Sequence, residues 1–272
     1  MSAPVPEIDK WSEVLSEDQI RQWPHAAEIA ERVGGCLMGG TAVAVHLRHR
    51  RSVDFDIMTL RPFSGDSVER AVRRFARHVR IRDVSANCFH AAVDGVEWDV
   101  FRALRSQEVE PDQMKKVADG PLIDGMPVGS IPDLLATKLD VIRLRAKLRD
   151  YLDLAAIDAM TAHRIEDGIR YYCERFGYQH VPRVLDESLS LLASPGTVPT
   201  DRDYEDRKAS VLEYLSRRAH EASRHLALMR RRSLRPLAAA PAAVRRCGHQ
   251  MPRAGRPCVL PAGHAGHHRS KL

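Results

Sequence analysis

The spacing of apolar and polar residues in the first part of the chain predicts alternating helices and strands. Apolar positions recur at helical spacing over residues 11–33, which predicts a helix that breaks or kinks at Pro24. A short apolar run from Cys36 leads into two glycines and a segment that we expect to form an amphipathic helix. Apolar and polar residues then alternate over residues 53–57, the period of a half-buried strand. The pattern therefore predicts strand, tight turn, helix and strand in that order.

The next stretch changes from helical to strand spacing. Residues 67–79 have apolar side chains every three or four positions and several arginines, which predicts a basic amphipathic helix. Two alternating segments follow at 88–93 and 96–101, separated by Asp94 and Gly95, a dipeptide typical of a two-residue hairpin turn. The second segment carries two acidic residues on the face opposite its apolar one.

The remainder of the chain has helical character. Ser130 is followed by a proline and an acidic residue, as at a helix start, and the helix after it would carry Lys138, Arg145 and Arg149 on one face. Three further helices are predicted at residues 163–176, 181–192 and 201–232. We expect an α/β (in looser usage α+β) fold, with a small mixed sheet, flanking helices and a helical C-terminal region.

Two features of the first strand–helix–strand unit suit phosphate chemistry. Gly39 and Gly40 allow a tight turn and close approach of a ligand, and Thr41 opens a helix whose N–H groups would suit a phosphate. Asp54 and Asp56 lie two residues apart on one strand, so both carboxylates face the same side and could share a divalent cation. Each feature alone is common on protein surfaces. Together they are what nucleotidyl transfer requires, because that chemistry consists mostly of positioning and charge neutralisation.

Two short runs in this unit resemble a known signature. Gly-Gly-Thr-Ala at residues 39–42 and Arg-Arg-Ser-Val-Asp-Phe-Asp at 50–56 resemble the DNA polymerase β-like nucleotidyltransferase superfamily and, within it, the AbiEii/AbiGii toxin family. The resemblance covers roughly residues 30–230. It implies a third acidic residue on a later strand, for which Asp99 is our candidate and Glu97 a near competitor.

The run from residue 138 to residue 154 carries the same resemblance, which implies an active-site lysine and a downstream aspartate. Lys138 fits the lysine. We favour Asp153 as the aspartate, with Asp150 and Asp158 as alternatives. The cations Arg145 and Arg149 would help to hold the phosphates of a nucleoside triphosphate, although a cationic helix face is more often only solvated surface.

The resemblance implies a metal-dependent nucleotidyltransferase toxin that is held in check by a cognate antitoxin. Mg²⁺ or Mn²⁺ would be held by Asp54, Asp56 and Asp99, NTP would be the co-substrate, and RNA such as tRNA would be the acceptor. Two alternatives stay open: a nucleotidyltransferase of the antibiotic-modifying type that acts on a small molecule, and a catalytically silent nucleic-acid-binding protein with the same fold. The intact aspartate pair argues against the silent protein.

Positive charge is concentrated at the end of the chain. The formal net charge is +6, but eleven Lys and Arg and no acidic residue follow Glu221. This basic tail indicates a nucleic acid or another polyanion as a partner, or else a solvated arm. The tail also contains two cysteines and a histidine cluster suited to tetrahedral zinc, against the alternative of a His-rich flexible segment. These candidate ligands are Cys247, Cys258, His264 and His268, with His267 as an alternative to the last.

The sequence also predicts the domain organisation and the cellular compartment of the protein. We expect a nucleotidyltransferase core at residues 1–160, a helical region at 161–233, and a linker with the basic Cys/His-rich tail at 234–272. Five scattered cysteines do not indicate a disulfide framework. The chain shows no secretion signal and no apolar run of membrane-spanning length, so we expect a cytoplasmic protein with no membrane partner.

Overall fold

A mixed β-sheet organises the first half of the chain, in a computed structural model that describes residues 8–103, 114–176, 181–199 and 201–233. Within these residues the sheet has five strands in the order β1-β2-β5-β4-β3. The strands are β1 (Gly35–Leu37), β2 (Asp54–Thr59), β3 (Val79–Ser85), β4 (Cys88–Val93) and β5 (Val96–Arg102). The pairing of β2 with β5 is parallel and the other pairings are antiparallel. Two short strands, β6 (Leu122–Ile123) and β7 (Met126–Pro127), form a separate hairpin.

Helices pack around the sheet and make up most of the second half of the chain. In the described ranges they are α1 (Ile8–Trp11), α2 (Glu17–Val33), α3 (Gly39–Leu47), α4 (Gly65–Val72), α5 (Ile131–Leu144), α6 (Leu148–Met160), α7 (Ile165–Phe176), α8 (Val181–Ala193) and α9 (Glu205–Ser233). The mixed sheet with flanking and C-terminal helices confirms the expected fold class. Residues up to Leu226 form one compact unit, and the chain from Ala227 belongs to a second.

The helix α2 shows how local sequence sets the element boundaries. Ser16 and Gln19 form a capping box at its start, and Gly34 ends it in the left-handed conformation at φ 61°. The expected break at Pro24 is wrong, because the helix continues through this residue and the interruption lies before Ser16. The buried side chains of Trp23 and Ala27 on either side of the proline hold the helix against the core, which offsets the lost backbone hydrogen bond.

The helix α3 and the strand β2 differ in detail from the expected pattern. Residues 40–45 of α3 are all buried, so the helix is not amphipathic; it lies between β2 and the helices α5 and α6. On β2, Phe55 and Ile57 are fully buried as expected, whereas Val53 is 49% exposed and precedes the strand. Both aspartates lie on the strand itself. Their side chains face the side opposite Phe55.

The predicted basic helix at 67–79 is shorter than its pattern indicates. It ends at Val72, and Val79 already belongs to β3. The physical reason is the carboxylate of Asp94, which accepts hydrogen bonds from the backbone N–H groups of Arg77 (3.0 Å) and His78 (2.6 Å) and so holds these residues outside the helix. Asp94 itself is in the predicted hairpin turn, with φ 44°, followed by Gly95 with φ 87°, as a type I′ turn requires.

The helix after Ser130 begins as predicted but ends early. The Ser130 hydroxyl accepts from the backbone N–H of Asp133 and caps α5. The helix ends at Leu144, and the extended backbone at Arg145 (φ −155°, ψ 140°) leads to a new helix, α6. The expected single cationic face is therefore wrong, because Lys138 lies on α5, Arg145 caps it, and Arg149 lies on α6.

The later helices occur close to the predicted positions. α5 packs against α6, α7 and α8, so the helices after residue 160 share the compact unit that contains the sheet. The domain boundary at residue 160 stays a prediction. The tail at 234–272, with the candidate zinc ligands Cys247, Cys258, His264 and His268, lies outside the described residues.

Candidate active site

The glycine turn before α3 lies directly against the aspartate pair. Gly39 has φ 64°, and a Cβ added there would lie 1.8 Å from Oδ2 of Asp56. A Cβ on Gly40 would lie 2.1 Å from Nη2 of Arg50. Both positions therefore need glycine, because any side chain would displace a charged group of the site.

Thr41 has a different place from the one expected. Its side chain is fully buried, and its hydroxyl lies 2.5 Å from the carbonyl oxygen of Asp54, to which it donates. The Ser52 hydroxyl is 2.8 Å away. The Thr41 side chain therefore ties α3 to β2, and phosphate binding by the backbone N–H groups in the first turn of α3 stays a prediction.

The sheet register brings the acidic residues of β2 and β5 together. Across the parallel pairing, Asp54 lies opposite Glu97 and Asp56 lies opposite Asp99. The two strands therefore present four carboxylates on one face, while Phe55 and Trp98 pack edge to face on the other with their ring centroids 5.3 Å apart. Burial, together with the charges of Asp54 and Asp99, raises the pKa of Asp56 to about 8.

The two candidates for the third acidic residue have different neighbours. Glu97 pairs with Arg82 on β3. Asp99 lies beside His90 on β4, with His90 Nδ1 3.1 Å from Asp99 Oδ1. Burial, with contributions from Asp54 and Glu97, raises the pKa of Asp99 above its usual range despite the nearby imidazole. Asp99 is therefore the candidate that lies opposite Asp56 on the neighbouring strand, whereas Oε2 of Glu97 and Oδ1 of Asp99 alike are buried and accept no hydrogen bond from the described residues.

Lys138 is buried between two of the three aspartates considered for the downstream position. Its Nζ lies 2.6 Å from Asp150 Oδ1 and 2.6 Å from Asp153 Oδ2. Arg145 also reaches Asp150, with Nε 3.1 Å from Oδ2. Burial would lower the pKa of Lys138, but the two carboxylates outweigh it and raise the pKa. The lysine therefore stays charged in the interior.

Asp153 is fully buried and is surrounded by donors. Besides Lys138, it accepts two hydrogen bonds from Arg50, at 2.6 Å from Nε and 3.0 Å from Nη2, and one from His49 at 2.8 Å. Burial alone would raise the pKa of Asp153, but Lys138 and Arg50 hold it well below its usual range. Asp153 thus positions the cations of the site.

Asp158, the remaining alternative, lies elsewhere in the compact unit. It accepts from the backbone N–H of Ile165 at the start of α7 (2.7 Å). It also binds Nε of Arg218 (2.8 Å) and the hydroxyl of Tyr214 (2.5 Å) on α9. These contacts join α6, α7 and α9, so Asp158 has a structural role.

Two cavities meet at Asp56. The polar cavity, about 300 Å³, is lined by Arg50, Asp54, Lys147 and Arg149 among others. The apolar cavity, about 340 Å³, is lined mainly by apolar side chains and contains Asp99. Its apolar lining residues include Met58, Phe101, Leu144 and Phe176. Both cavities share a wall formed by Asp56, Lys138 and Arg145.

Comparison with known proteins decides the family. The family profile described as "Nucleotidyl transferase AbiEii toxin, Type IV TA system" matches residues 36–228. The chain belongs to the AbiEii family. It is therefore a nucleotidyltransferase toxin of a type IV toxin–antitoxin system, which implies an NTP substrate and an antitoxin partner. The predicted family and enzyme class are confirmed.

Two further comparisons complete the result. No curated protein matches the chain. Among solved structures, the chain is similar to MenT4, a nucleotidyltransferase toxin from Mycobacterium tuberculosis H37Rv, with 16% sequence identity and a TM-score of 0.37 over 72% of this chain and 84% of that chain.

The donor chemistry of this AbiEii-family site suits a hard cation. Carboxylate oxygens are the preferred ligands of Mg²⁺, and the raised pKa of Asp56 reflects burial and negative charge on this face. Oδ1 of Asp99 is buried and accepts no hydrogen bond from the described residues. Within the same residues, no three His, Cys, Asp or Glu side chains are already arranged to hold one ion. Binding by Asp54, Asp56 and Asp99 together therefore requires a side-chain rotation.

Sequence reasoning missed three residues of the AbiEii-family site. Arg50 and His49 precede the aspartate pair and bind Asp153, and His90 lies beside Asp99. Arg50 was within the run that carries the resemblance, but nothing in its spacing connects it to a residue 103 positions later. In the part of the chain that the structure describes, no helix is long and apolar enough to cross a membrane.

Proposed function

We propose that this AbiEii-family protein uses Mg²⁺ or Mn²⁺ to transfer a nucleoside monophosphate from an NTP to a hydroxyl group of RNA, such as tRNA. The observation that carries the proposal is the polar cavity, in which Asp54 and Asp56 face Arg50, Lys138 and further cations across a space of about 300 Å³. Carboxylates suit the metal and the cations suit the triphosphate oxygens, so this combination fits a metal–nucleotide complex.

Each group of the site has a role in this reaction. Asp54 and Asp56, completed by Asp99, would hold the cation, which when bound neutralises charge on the transferred phosphoryl group. The backbone N–H groups of Gly40 and Thr41, in the first turn of α3, are suited to bind phosphate oxygens.

The cations and Asp99 act on opposite sides of the reaction. Lys138 and Arg145 line the cavity and are suited to neutralise charge that develops on the leaving pyrophosphate. Arg149 also lines the polar cavity, although its Nε donates to Asp201 at 2.8 Å. As the alternative to completing the metal site, Asp99 is suited to accept the proton of the attacking hydroxyl. Asp153, through Lys138 and Arg50, keeps the cations in place.

The test measures transfer directly. Protein is incubated with each of the four α-labelled NTPs and total tRNA, with Mg²⁺ or with a chelator, and label on RNA is counted. We expect divalent-cation-dependent labelling that falls by about a thousand-fold or more in Asp56→Asn, since the carboxylate acts on transition-state charge. The control is Asp119→Asn, the same change at an exposed loop residue outside both cavities.

Three outcomes would contradict the proposal. A folded Asp56→Asn variant that transfers at the wild-type rate would show that Asp56 does not hold a catalytic metal ion. Full activity with chelator removes the metal dependence. Label recovered on a small molecule with none on RNA favours the antibiotic-modifying type of acceptor instead.

A further inference from the structure

A third cavity, of about 280 Å³, lies at the edge of the sheet beside β1 and the β6–β7 hairpin. Within the described structure, neither the aspartate pair nor Asp99 lines it. It adjoins the apolar cavity, because Met38, Met58 and Arg175 line both. We call it the edge cavity, and its lining includes Cys36 and the charged residues Arg61, Lys116, Asp133 and Arg175.

Positive charge predominates in the edge cavity. Three cations, from Arg61, Lys116 and Arg175, line it, and Asp133 is the one carboxylate among the described lining residues. Burial raises the pKa of the Cys36 thiol, although Lys116 and Arg175 act in the opposite direction, so the thiol stays neutral at pH 7. Three cations against one carboxylate leave a formal excess of two positive charges, which favours an anionic ligand.

The charge of Asp133 is already compensated by donors of the protein. Its carboxylate accepts hydrogen bonds from the backbone N–H groups of Val117 (3.0 Å) and Ala118 (3.3 Å). It also accepts from the Ser130 hydroxyl at 2.6 Å and binds Nη1 of Arg175. These contacts reduce the repulsion between Asp133 and an incoming anion, and they fix the guanidinium group in the cavity wall.

The other two donor nitrogens of Arg175 form a fork on one side of its guanidinium group. The side chain is 2% exposed, and Nε is buried with no acceptor among the described residues. Nη2 lies 3.8 Å from the thioether sulfur of Met58, which is a weak acceptor. A buried donor without an acceptor costs free energy. A guanidinium fork matches two oxygens of a phosphate or carboxylate group, so this side of Arg175 suits an oxyanion.

Arg61 and Lys116 supply charge on the solvent side of the edge cavity. Both residues are exposed, and neither forms an ion pair in the part of the chain that the structure describes. The Arg61 side chain lies over Gly34, where an added Cβ would be 3.1 Å from its Cδ. An anion that reaches Arg175 therefore passes two cations that have no carboxylate partner among the described residues.

We propose that the edge cavity binds a phosphate dianion, with Nε and Nη2 of Arg175 bound to two of its oxygens and with Arg61 and Lys116 balancing its charge. A phosphate monoester carries about −1.5 to −2 charges at pH 7, which matches the excess of positive charge better than a single carboxylate does. Small-molecule sites begin at about 300 Å³, so this cavity takes a small ligand, either inorganic phosphate or a mononucleotide. Binding here requires neither the metal ion nor the transfer reaction proposed above.

Titration calorimetry on the full chain measures the affinity of this site. Inorganic phosphate, 5′-AMP and acetate are titrated separately, with a chelator, without NTP and at constant ionic strength. Lys116→Gln removes an exposed cation with little risk to the fold. Lys115→Gln is the matched control, because Lys115 is also exposed but does not line the edge cavity. Arg175→Lys keeps a positive charge beside Asp133 and removes the fork.

Alkylation of Cys36 shows whether the anion binds in the edge cavity. The rate of iodoacetamide labelling is measured at each cysteine by mass spectrometry, with and without phosphate. Cys88 is the internal reference, because it is a half-buried free cysteine that lines none of the three cavities. A dianion beside Cys36 shields its thiol and disfavours the thiolate, which is the form that reacts. Phosphate bound at the polar cavity alone would not slow the reaction of Cys36.

We expect Lys116→Gln and Arg175→Lys to weaken phosphate binding about ten-fold or more, as the loss of a charge-assisted hydrogen bond predicts, whereas Lys115→Gln stays within about two-fold of wild type. Phosphate at saturation should slow alkylation of Cys36 about three-fold or more and leave Cys88 unchanged. Tighter binding of 5′-AMP than of phosphate would identify a mononucleotide as the ligand, and the reverse order would identify free phosphate.

Three results would overturn the phosphate site. Phosphate affinity equal to wild type in Lys116→Gln would contradict it, and this variant decides the question if Arg175→Lys does not fold. Unchanged alkylation of Cys36 at saturating phosphate would place the bound anion elsewhere. Acetate binding as tight as phosphate binding would show a carboxylate site instead. Because the test uses no NTP and no metal ion, protein that binds phosphate as expected but transfers no nucleotide would reject the proposed function alone.

Discussion

The buried carboxylate of Asp153 allows a quantitative test of how the cations of the site are held. Asp153→Asn keeps the shape of the side chain and removes its charge. Three donor side chains converge on this carboxylate, from Lys138, Arg50 and His49 at 2.6–2.8 Å. In the variant, Lys138 keeps Asp150, but Arg50 loses its carboxylate partner in the described structure and stays 7% exposed.

Removing one member of a buried ion pair costs about 3–5 kcal/mol, because the partner charge is left in the interior without compensation. That loss is a large part of a typical unfolding free energy of about 5–15 kcal/mol. A chain of this size loses about 2–4 °C in Tm for each kcal/mol, so we expect Tm to fall by about 6–20 °C. Urea denaturation gives the free energy directly, and thermal unfolding gives Tm.

Asp18→Asn provides the control, because Asp18 pairs with Arg21 on the surface with side chains 49% and 62% exposed. We expect that change to cost less than about 1 kcal/mol. The pKa of Asp153 is depressed in the folded state, so its stabilising effect is complete above the unfolded pKa of about 4 and is lost as the pH falls below it. The stability difference between wild type and Asp153→Asn should therefore shrink below about pH 4. Equal stability at pH 7 would refute the reasoning.

Three further predictions concern single groups. Arg145→Ala, at a side chain 49% exposed, should raise the KM for NTP about ten-fold in the transfer assay with little change in Tm. An unchanged KM would show that Arg145 is a solvated surface residue with no role in NTP binding. Asp158→Asn should lower the unfolding free energy by about 2–4 kcal/mol, because Arg218 loses a buried partner, without a change in KM for NTP; a change in KM alone would contradict its structural role. Protein purified without chelator should carry about one equivalent of zinc, lost on acidification, and metal analysis that finds none would reject the tail ligands. Those ligands are Cys247, Cys258, His264 and His268.

Local chemistry explains why some of the site could be predicted from sequence. The alternation around Asp54 and Asp56 and the two glycines before α3 depend on neighbouring residues only, and both occur where the pattern placed them. The hairpin turn also encodes a cross-strand pairing. A two-residue turn at Asp94 and Gly95 sets Val93 opposite Val96, and counting outward from it places His90 opposite Asp99.

Long-range pairing explains why the rest could not be predicted. The parallel register of β2 and β5 depends on residues more than 40 positions apart, and no short-range pattern encodes it. The end of α5 was also missed, since helical spacing continues through Arg145 although the backbone turns there. Because the chain turns at Arg145, α6 brings Asp150 and Asp153 into contact with Lys138. These tertiary ion pairs outweigh the local preference of the sequence for a continuous helix.

Asp153 is one of the last residues of the candidate site in the amino-acid sequence, which has a consequence for synthesis of the toxin. The glycine turn, the aspartate pair and Arg50 emerge early from the ribosome, but the carboxylate that holds Arg50 comes 103 residues later. Contacts of such separation form only after the intervening chain is made and its loop entropy is overcome. A nascent or prematurely ended chain that stops before α6 therefore carries the glycine turn and the aspartate pair without its anchored cations, and we expect such a fragment to be harmless to the cell that makes it.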